Sequence, residues 1–344
     1  MKYFCLKVLC TASNMFSIIR NGMEHKFGIK DDMIHGRYYK KDMAGNVLIS
    51  CNYLNGVLNG PYERWEMVNN DSVKVLDTTF TNGHMNGSYR TWYPGGQRYV
   101  ECTFLDGKYN GLYTRWYNNG SVALSCKYIM GEKAGGQVII NYPNGFNREV
   151  YRLNMSGKKD GIYSSYYSTG KSQMYTSYEN GKKNGFYKKW WENGNIMESG
   201  MYTMNCPEGM FTRYYSNGVI SSSSEYHGGS LNGQAIDYYQ DGSYVNAMYV
   251  NGKLSGPRRE YYQNGNKNEF SYWRRGVKHG PYLKYNRDGK LIIKTDYVYD
   301  KINGKYEELF SNGKRKLYVV YKDGVIVERL IENDSMYDDE DETM

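Results

Sequence analysis

The sequence predicts an all-β protein: an elongated, twisted, single-layer antiparallel meander of about twelve β-hairpin repeats. Three observations predict it. A Gly-x-x-x-Gly element recurs along most of the 344 residues, its second glycine falling at Gly36, Gly60, Gly87, Gly111, Gly135, Gly161, Gly185, Gly209, Gly233, Gly256, Gly280 and Gly304. The spacing is 24 residues in most steps and never leaves the range 23 to 27. Between the glycines lie short aromatic-rich runs closed by Asn-Gly pairs, which supply the positive φ that hairpin turns need.

One unit shows the grammar. Gly111-Leu112-Tyr113-Thr114-Arg115-Trp116-Tyr117 reads as a strand and Asn118-Asn119-Gly120 as its turn. Ser121 to Tyr128 reads as the return strand, where Val122, Leu124, Cys126 and Tyr128 alternate with Ala123, Ser125 and Lys127. The abundance of Tyr suits strands, and six prolines in 344 residues leave them uninterrupted. About 24 strands at about 4.8 Å each would make a sheet roughly 115 Å long. Each unit would touch mainly its neighbours.

In chain order, residues 1–31 read as an irregular N-terminal cap and residues 32–331 as the repeat domain. Met1 to Ser13 has an apolar run broken by Lys7, too short for a secretion signal, so it reads as a terminal strand of a protein that is not secreted. The unit from Gly60 lengthens its turn over Val68 to Asp71, the unit from Gly135 shifts its turn by one, and the unit from Gly233 is one residue short. Val325 to Ile331 reads as a closing strand. Residues 332–344, with seven acidic residues and no Lys or Arg, read as a disordered tail. Net charge is +8, and removing those seven negatives raises it to +15. A basic body with an acidic tail fits an anionic partner, self-masking of the basic surface, or solubility alone.

The pattern Tyr-x-Asn-Gly-x-x-x-Gly-x-Tyr-x-x-Trp-Tyr-x-x-Gly, over about residues 32 to 324, resembles the MORN repeat. It is closer to the 24-residue variant of bacterial antitoxin-like YwqK-type proteins, multiplied in large DNA viruses of amoebae. The resemblance implies a MORN-like solenoid, and a scaffold that contacts other proteins or phospholipid head groups. It carries no catalytic residue over.

The chemistry-bearing residues point the same way. Cys51, Cys102 and Cys126 each lie fifteen residues after a register glycine, where other units hold Thr176, Ser224, Thr295 and Val319. They read as small packing residues. Equivalent positions two strands apart are roughly 10 Å from each other, too far for a disulfide. No Cys-x-x-Cys spacing suggests zinc. Free thiols suit a reducing, cytoplasmic compartment, with peripheral membrane attachment left open. The histidines His25, His35, His84, His227 and His279 have no recurrent acid or nucleophile partner, and no phosphate-binding loop is present. The expectation is a non-enzymatic chain with no cofactor.

Candidate binding residues come from positions two, four and six after the register glycine, expected on one strand face. They form a ladder: Tyr113, Arg115 and Tyr117; Tyr187, Lys189 and Trp191; Phe211, Arg213 and Tyr215; with partial rungs at Arg64 (beside Tyr62) and Lys284 (beside Tyr282). A cation between rings suits an anionic head group or an acidic protein segment. The alternative is that the cations only pack across the rings. The leading expectation is a protein-binding scaffold with an unidentified protein partner. The alternative is peripheral binding to anionic phospholipid surfaces. Nucleic-acid binding is the weakest reading because no dedicated motif is present. Self-association through the sheet ends is a further expectation.

Overall fold

The computed structural model describes residues 9–10 and 15–330, and every regular element among them is a β-strand. The proposed acidic tail and most of the proposed terminal strand lie outside the described residues. The chain divides into two compact units. The first runs to Gln173 and takes in Tyr178–Gly181; the second comprises Met174–Ser177 and the chain from Lys182 onward.

Each unit is an antiparallel meander. In the first, strands Met33–Lys41, Val47–Leu54, Val57–Val68, Asp71–Thr81, His84–Trp92 and Arg98–Leu105 pair in succession. The chain continues through Gly111–Trp116, Val122–Ile129, Gly136–Asn141, Asn147–Leu153 and Lys159–Tyr166. In the second unit, successive pairing runs from Lys182–Trp190 to Val325–Leu330. No second sheet or helix covers either face among the described residues.

Residues 15–30 depart from the irregular cap expected there. Met15–Arg20 and Met23–Lys30 form a regular hairpin around Asn21-Gly22, both at positive φ. Phe16 and Phe27 are cross-strand partners with rings 6.4 Å apart. This segment lacks the Gly-x-x-x-Gly mark, but its Asn-Gly pair carries the same turn signal as the later units.

The register explains how a one-layer sheet acquires a core. The register glycine pairs with an aromatic seventeen residues on: Gly111 with Tyr128, Gly185 with Tyr202, Gly280 with Tyr297. The aromatic two residues after the glycine pairs with the small residue fifteen after it: Tyr113 with Cys126, Phe211 with Ser224, Tyr282 with Thr295. These two aromatics meet edge to face, at 5.6 Å for Tyr113–Tyr128 and 5.3 Å for Tyr187–Tyr202. Their rings roof the small residue, so Cys126 is fully buried and Thr295 nearly so. Rings side by side take the place of a second layer. Cys51, Cys102 and Cys126 are free, buried thiols in this slot, and Cys206 is free and exposed. In one unit the slot holds Gly200, because the Phe211 ring lies over it: a Cβ there would stand 2.6 Å from that ring.

Candidate binding surfaces

The structure splits the expected ladder. Positions two and four stay on one strand, but a β-bulge follows position four, between Arg115 and Trp116, Lys189 and Trp190, and Arg213 and Tyr214. Position six lies beyond the strand, at the start of the turn. Its side chain reaches along the corner instead of across the face. The Tyr117 hydroxyl donates to the Asn141 carbonyl at 2.9 Å, the Trp191 indole to Tyr214 at 3.2 Å and the Tyr215 hydroxyl to Tyr238 at 2.6 Å. Tyr117, Trp191 and Tyr215 are therefore stitches between successive repeats and do not complete the rungs.

The turn asparagines add to this seam. Asn193 and Asn264 accept the amide two residues on through Oδ1 and donate through Nδ2 to the carbonyls of Ser216 and Arg287 in the next repeat. Each Asn-Gly pair that closes a hairpin supplies positive φ through its glycine, but not every asparagine shares it. Asn55, Asn82, Asn180 and Asn251 do, on the register-glycine side of the hairpins, whereas at the opposite corner only the glycine adopts it. There asparagine serves as a side-chain linker.

Among the described residues the ladder cations do not lie over rings. Arg64 pairs with Glu66 at 3.3 Å, and Arg213 with Glu198 at 2.9 Å. Arg115, Lys189 and Lys284 make no ion pair among the described residues. Four of the cations that do lie over rings, Lys133, Lys159, Lys183 and Lys278, form a column that sequence reasoning missed, two residues before the register glycine, while Lys74, Arg98, Arg259 and Arg315 lie over rings from other positions. Lys159 lies 4.1 Å from the Tyr163 ring centroid, 4.7 Å from Tyr151 and 5.3 Å from Tyr178. Lys183 lies 4.8 Å from both Tyr187 and Tyr202, and Lys278 4.9 Å from Tyr282 and 5.3 Å from Tyr297. Lys133 sits over Tyr128. The signal was present as a recurrent lysine at that offset.

Carboxylates also enter this face. The Tyr163 hydroxyl donates to Glu149 at 3.2 Å, Tyr282 to Glu269 at 3.0 Å and Tyr306 to Glu308 at 2.9 Å. Arg258 pairs with Glu260 and Glu269. Burial, then the adjacent carboxylate, pushes the Tyr163 phenol up to about 12. Burial and Glu198 push Tyr187 up as well. The aromatic face thus carries compensated charge, more acidic than the ladder alone implied.

The opposite face has no such roof. Leu112, Phe186 and Met210, each one residue after a register glycine, are exposed, Phe186 at 66 %. In the second unit Phe186, Met201 and Met210 line a shallow groove together with Gly200, Lys188 and Glu208. Phe186 and Met201 are direct cross-strand partners.

Among the described residues no group of three or more His, Cys, Asp or Glu side chains is placed to hold a metal ion, and no helix is long and apolar enough to cross a membrane. No curated protein matches the chain. The family model described as MORN repeat variant matches two segments, residues 159–180 and 278–299. Each spans one hairpin repeat and begins on a lysine, Lys159 or Lys278, that lies over the tyrosine rings of its own repeat.

Proposed function

We propose that the chain is a non-enzymatic scaffold that binds another protein through the unroofed face of its repeats. MORN repeats occur in proteins that bind other proteins or membranes. The observation that carries the reading is the exposed trio Phe186, Met201 and Met210. Contiguous apolar area on an otherwise polar surface marks an interaction site, and Phe and Met are enriched in interface cores. A partner presenting apolar side chains suits the groove. The narrower forms, an antitoxin-like role or a viral scaffold, rest on the resemblance alone. The unpaired thiols fit a cytoplasmic setting.

The test is affinity capture on immobilised full-length protein beside the double variant Phe186→Asp/Met210→Asp. Both side chains are exposed, so the variant should fold. A protein retained by the wild type and lost by the variant supports the reading. Equal capture by both rejects this face.

A second reading has its own observation: Arg115, Lys189 and Lys284 carry charges not spent on ion pairs. These cations suit an anionic phospholipid surface, and each near such a surface contributes about 1 kcal/mol. Co-sedimentation with phosphatidylserine vesicles should fall when all three become Ala. Binding that is unchanged, or absent in the wild type, sinks this reading.

A further inference from the structure

The hairpin that begins at Gly233 lacks the bulge of its neighbours. Its strands pair without interruption from Gly233–Tyr249 to Tyr238–Tyr244, whereas the hairpins at Gly209 and Gly256 each skip a residue near the turn. The missing residue alters the corner. On either side the stitch is intact, from Tyr215 to the Tyr238 carbonyl at 2.6 Å and from Tyr262 to the Tyr285 carbonyl at 3.0 Å. Tyr239 lies between them at the same position, makes no such bond and is 52 % exposed. Asp241 stands where the neighbours have Asn217 and Asn264, and a carboxylate cannot donate to the next repeat.

The unstitched corner leaves a cleft of about 480 Å³ lined by Tyr239, Asp241, Tyr244, Tyr262, Gln263 and Arg287. That volume lies within the range of small-molecule sites. One wall is held rigid by Asn264 and Asn266, which donate to the Arg287 carbonyl at 2.7 and 2.8 Å. Tyr244 is fixed by flat stacking on Tyr261, with centroids 4.4 Å apart and planes 11° apart. Hydrogen bonds from Ser243, with a smaller pull from Arg287, hold the Asp241 carboxyl below the usual carboxylate range, so it is an acceptor at neutral pH. Its Oδ1 takes both bonds from Ser243, and Oδ2 remains available. The Gln263 amide, the Arg287 guanidinium and the Tyr239 hydroxyl make no side-chain hydrogen bond or ion pair among the described residues, and Arg287 acts on Asp241 only through its field.

We propose that this cleft binds a saccharide, with a pyranose ring lying against the tyrosine faces and its hydroxyls on Asp241, Gln263 and Arg287. Tyrosine faces offer an apolar platform to the C–H face of a sugar, with polar groups at the rim. An acceptor next to a forked donor suits neighbouring hydroxyls, each of which both gives and takes a hydrogen bond. The charges argue against an ion: a phosphate would face Asp241 and a cation would face Arg287. The nearby Glu260 is already held by Arg258 and Asn268. This site is separate from the protein-binding groove and does not depend on it.

The test titrates the full chain by saturation-transfer NMR and calorimetry with glucose, galactose, N-acetylglucosamine, cellobiose, lactose and chitobiose. Inorganic phosphate and free arginine serve as ionic probes. The expected result is binding of at least one sugar at about millimolar Kd or tighter, weakened about tenfold or more in Tyr239→Ala and in Arg287→Ala. Both residues are exposed, so both variants should keep the wild-type circular dichroism and Tm. Inserting one Ala between Ser243 and Tyr244 restores the common register and should also abolish binding. Three results would overturn the proposal: no sugar binding at about 10 mM, sugar binding that survives both substitutions, or saturable binding of phosphate or arginine in place of sugar.

Discussion

The Lys278 ammonium lies 4.9 Å from the centroid of the Tyr282 ring, four residues further along the same strand, Val277–Tyr285. The ring is half-buried, so the cation meets it with part of its water removed. Such contacts contribute about 0.5–2 kcal/mol. Lys278→Met keeps the apolar stem and removes the charge, and should lower stability by about 1 kcal/mol in urea titration. A double-mutant cycle with Tyr282→Leu isolates the pair. A coupling energy of zero would show that Lys278 only covers the ring with its methylenes.

The repeat, its strands and the buried cysteine slot were legible in the sequence because glycine marks and alternation survive every substitution between them. The fate of Tyr117, Trp191 and Tyr215 was not. Alternation places them beside Arg115, Lys189 and Arg213, and a bulge that changes this leaves no mark in the spacing of the aromatic strand. The lysines over the rings were missed for another reason. Lys159, Lys183 and Lys278 precede the register glycine, outside the aromatic run that was read, and each covers a ring four residues on in its own strand together with one on the return strand, so only half of the contact is visible within one strand. The compensating acids Glu149, Glu198 and Glu269 sit on return strands, opposite the ladder that was read.

The Gly200 slot yields a prediction of steric origin. Elsewhere this position accepts Cys126, Ser224 or Thr295, all buried. At Gly200 the Phe211 ring occupies the space that a Cβ would need. Gly200→Thr imposes overpacking and should cost about 1–3 kcal/mol. Phe211→Ala alone costs about 3–5 kcal/mol as a large-to-small change. Combined with Gly200→Thr it should cost less than the sum of the two, because the new side chain fills the space the ring leaves. Strict additivity in chemical denaturation would reject the clash.

Thr295 predicts a gain. Its hydroxyl is buried under Tyr282 and Tyr297 with no hydrogen-bond partner, and Thr78 and Thr176 share this fate in their own repeats. An unsatisfied buried hydroxyl costs about 1–3 kcal/mol. Val319 fills the equivalent slot without one. Thr295→Val should therefore raise stability by about 1 kcal/mol, read as a higher urea midpoint at unchanged slope. A fall in stability would mean that the hydroxyl finds a partner in solution.

The tyrosine roof predicts how the fold fails in alkali. Burial, assisted by neighbouring groups, pushes the phenols of Tyr113, Tyr163 and Tyr306 from 10.0 up to about 12. The folded chain then holds these protons more tightly than the unfolded chain. Their contribution is complete below pH 10 and is lost as pH rises from about 10 to about 12. Over that window each such phenol should steepen the fall in stability by up to about 1.4 kcal/mol per pH unit. Tyr163→Phe removes one of them, and also the hydrogen bond to Glu149. The variant should be less stable at pH 8 yet lose stability more gently above pH 10, so the two curves converge. Tyrosinate absorbance at 295 nm, followed with far-UV circular dichroism across that range, reads both quantities. Parallel curves would show that the Tyr163 phenol ionises as easily in the folded protein as in the unfolded chain.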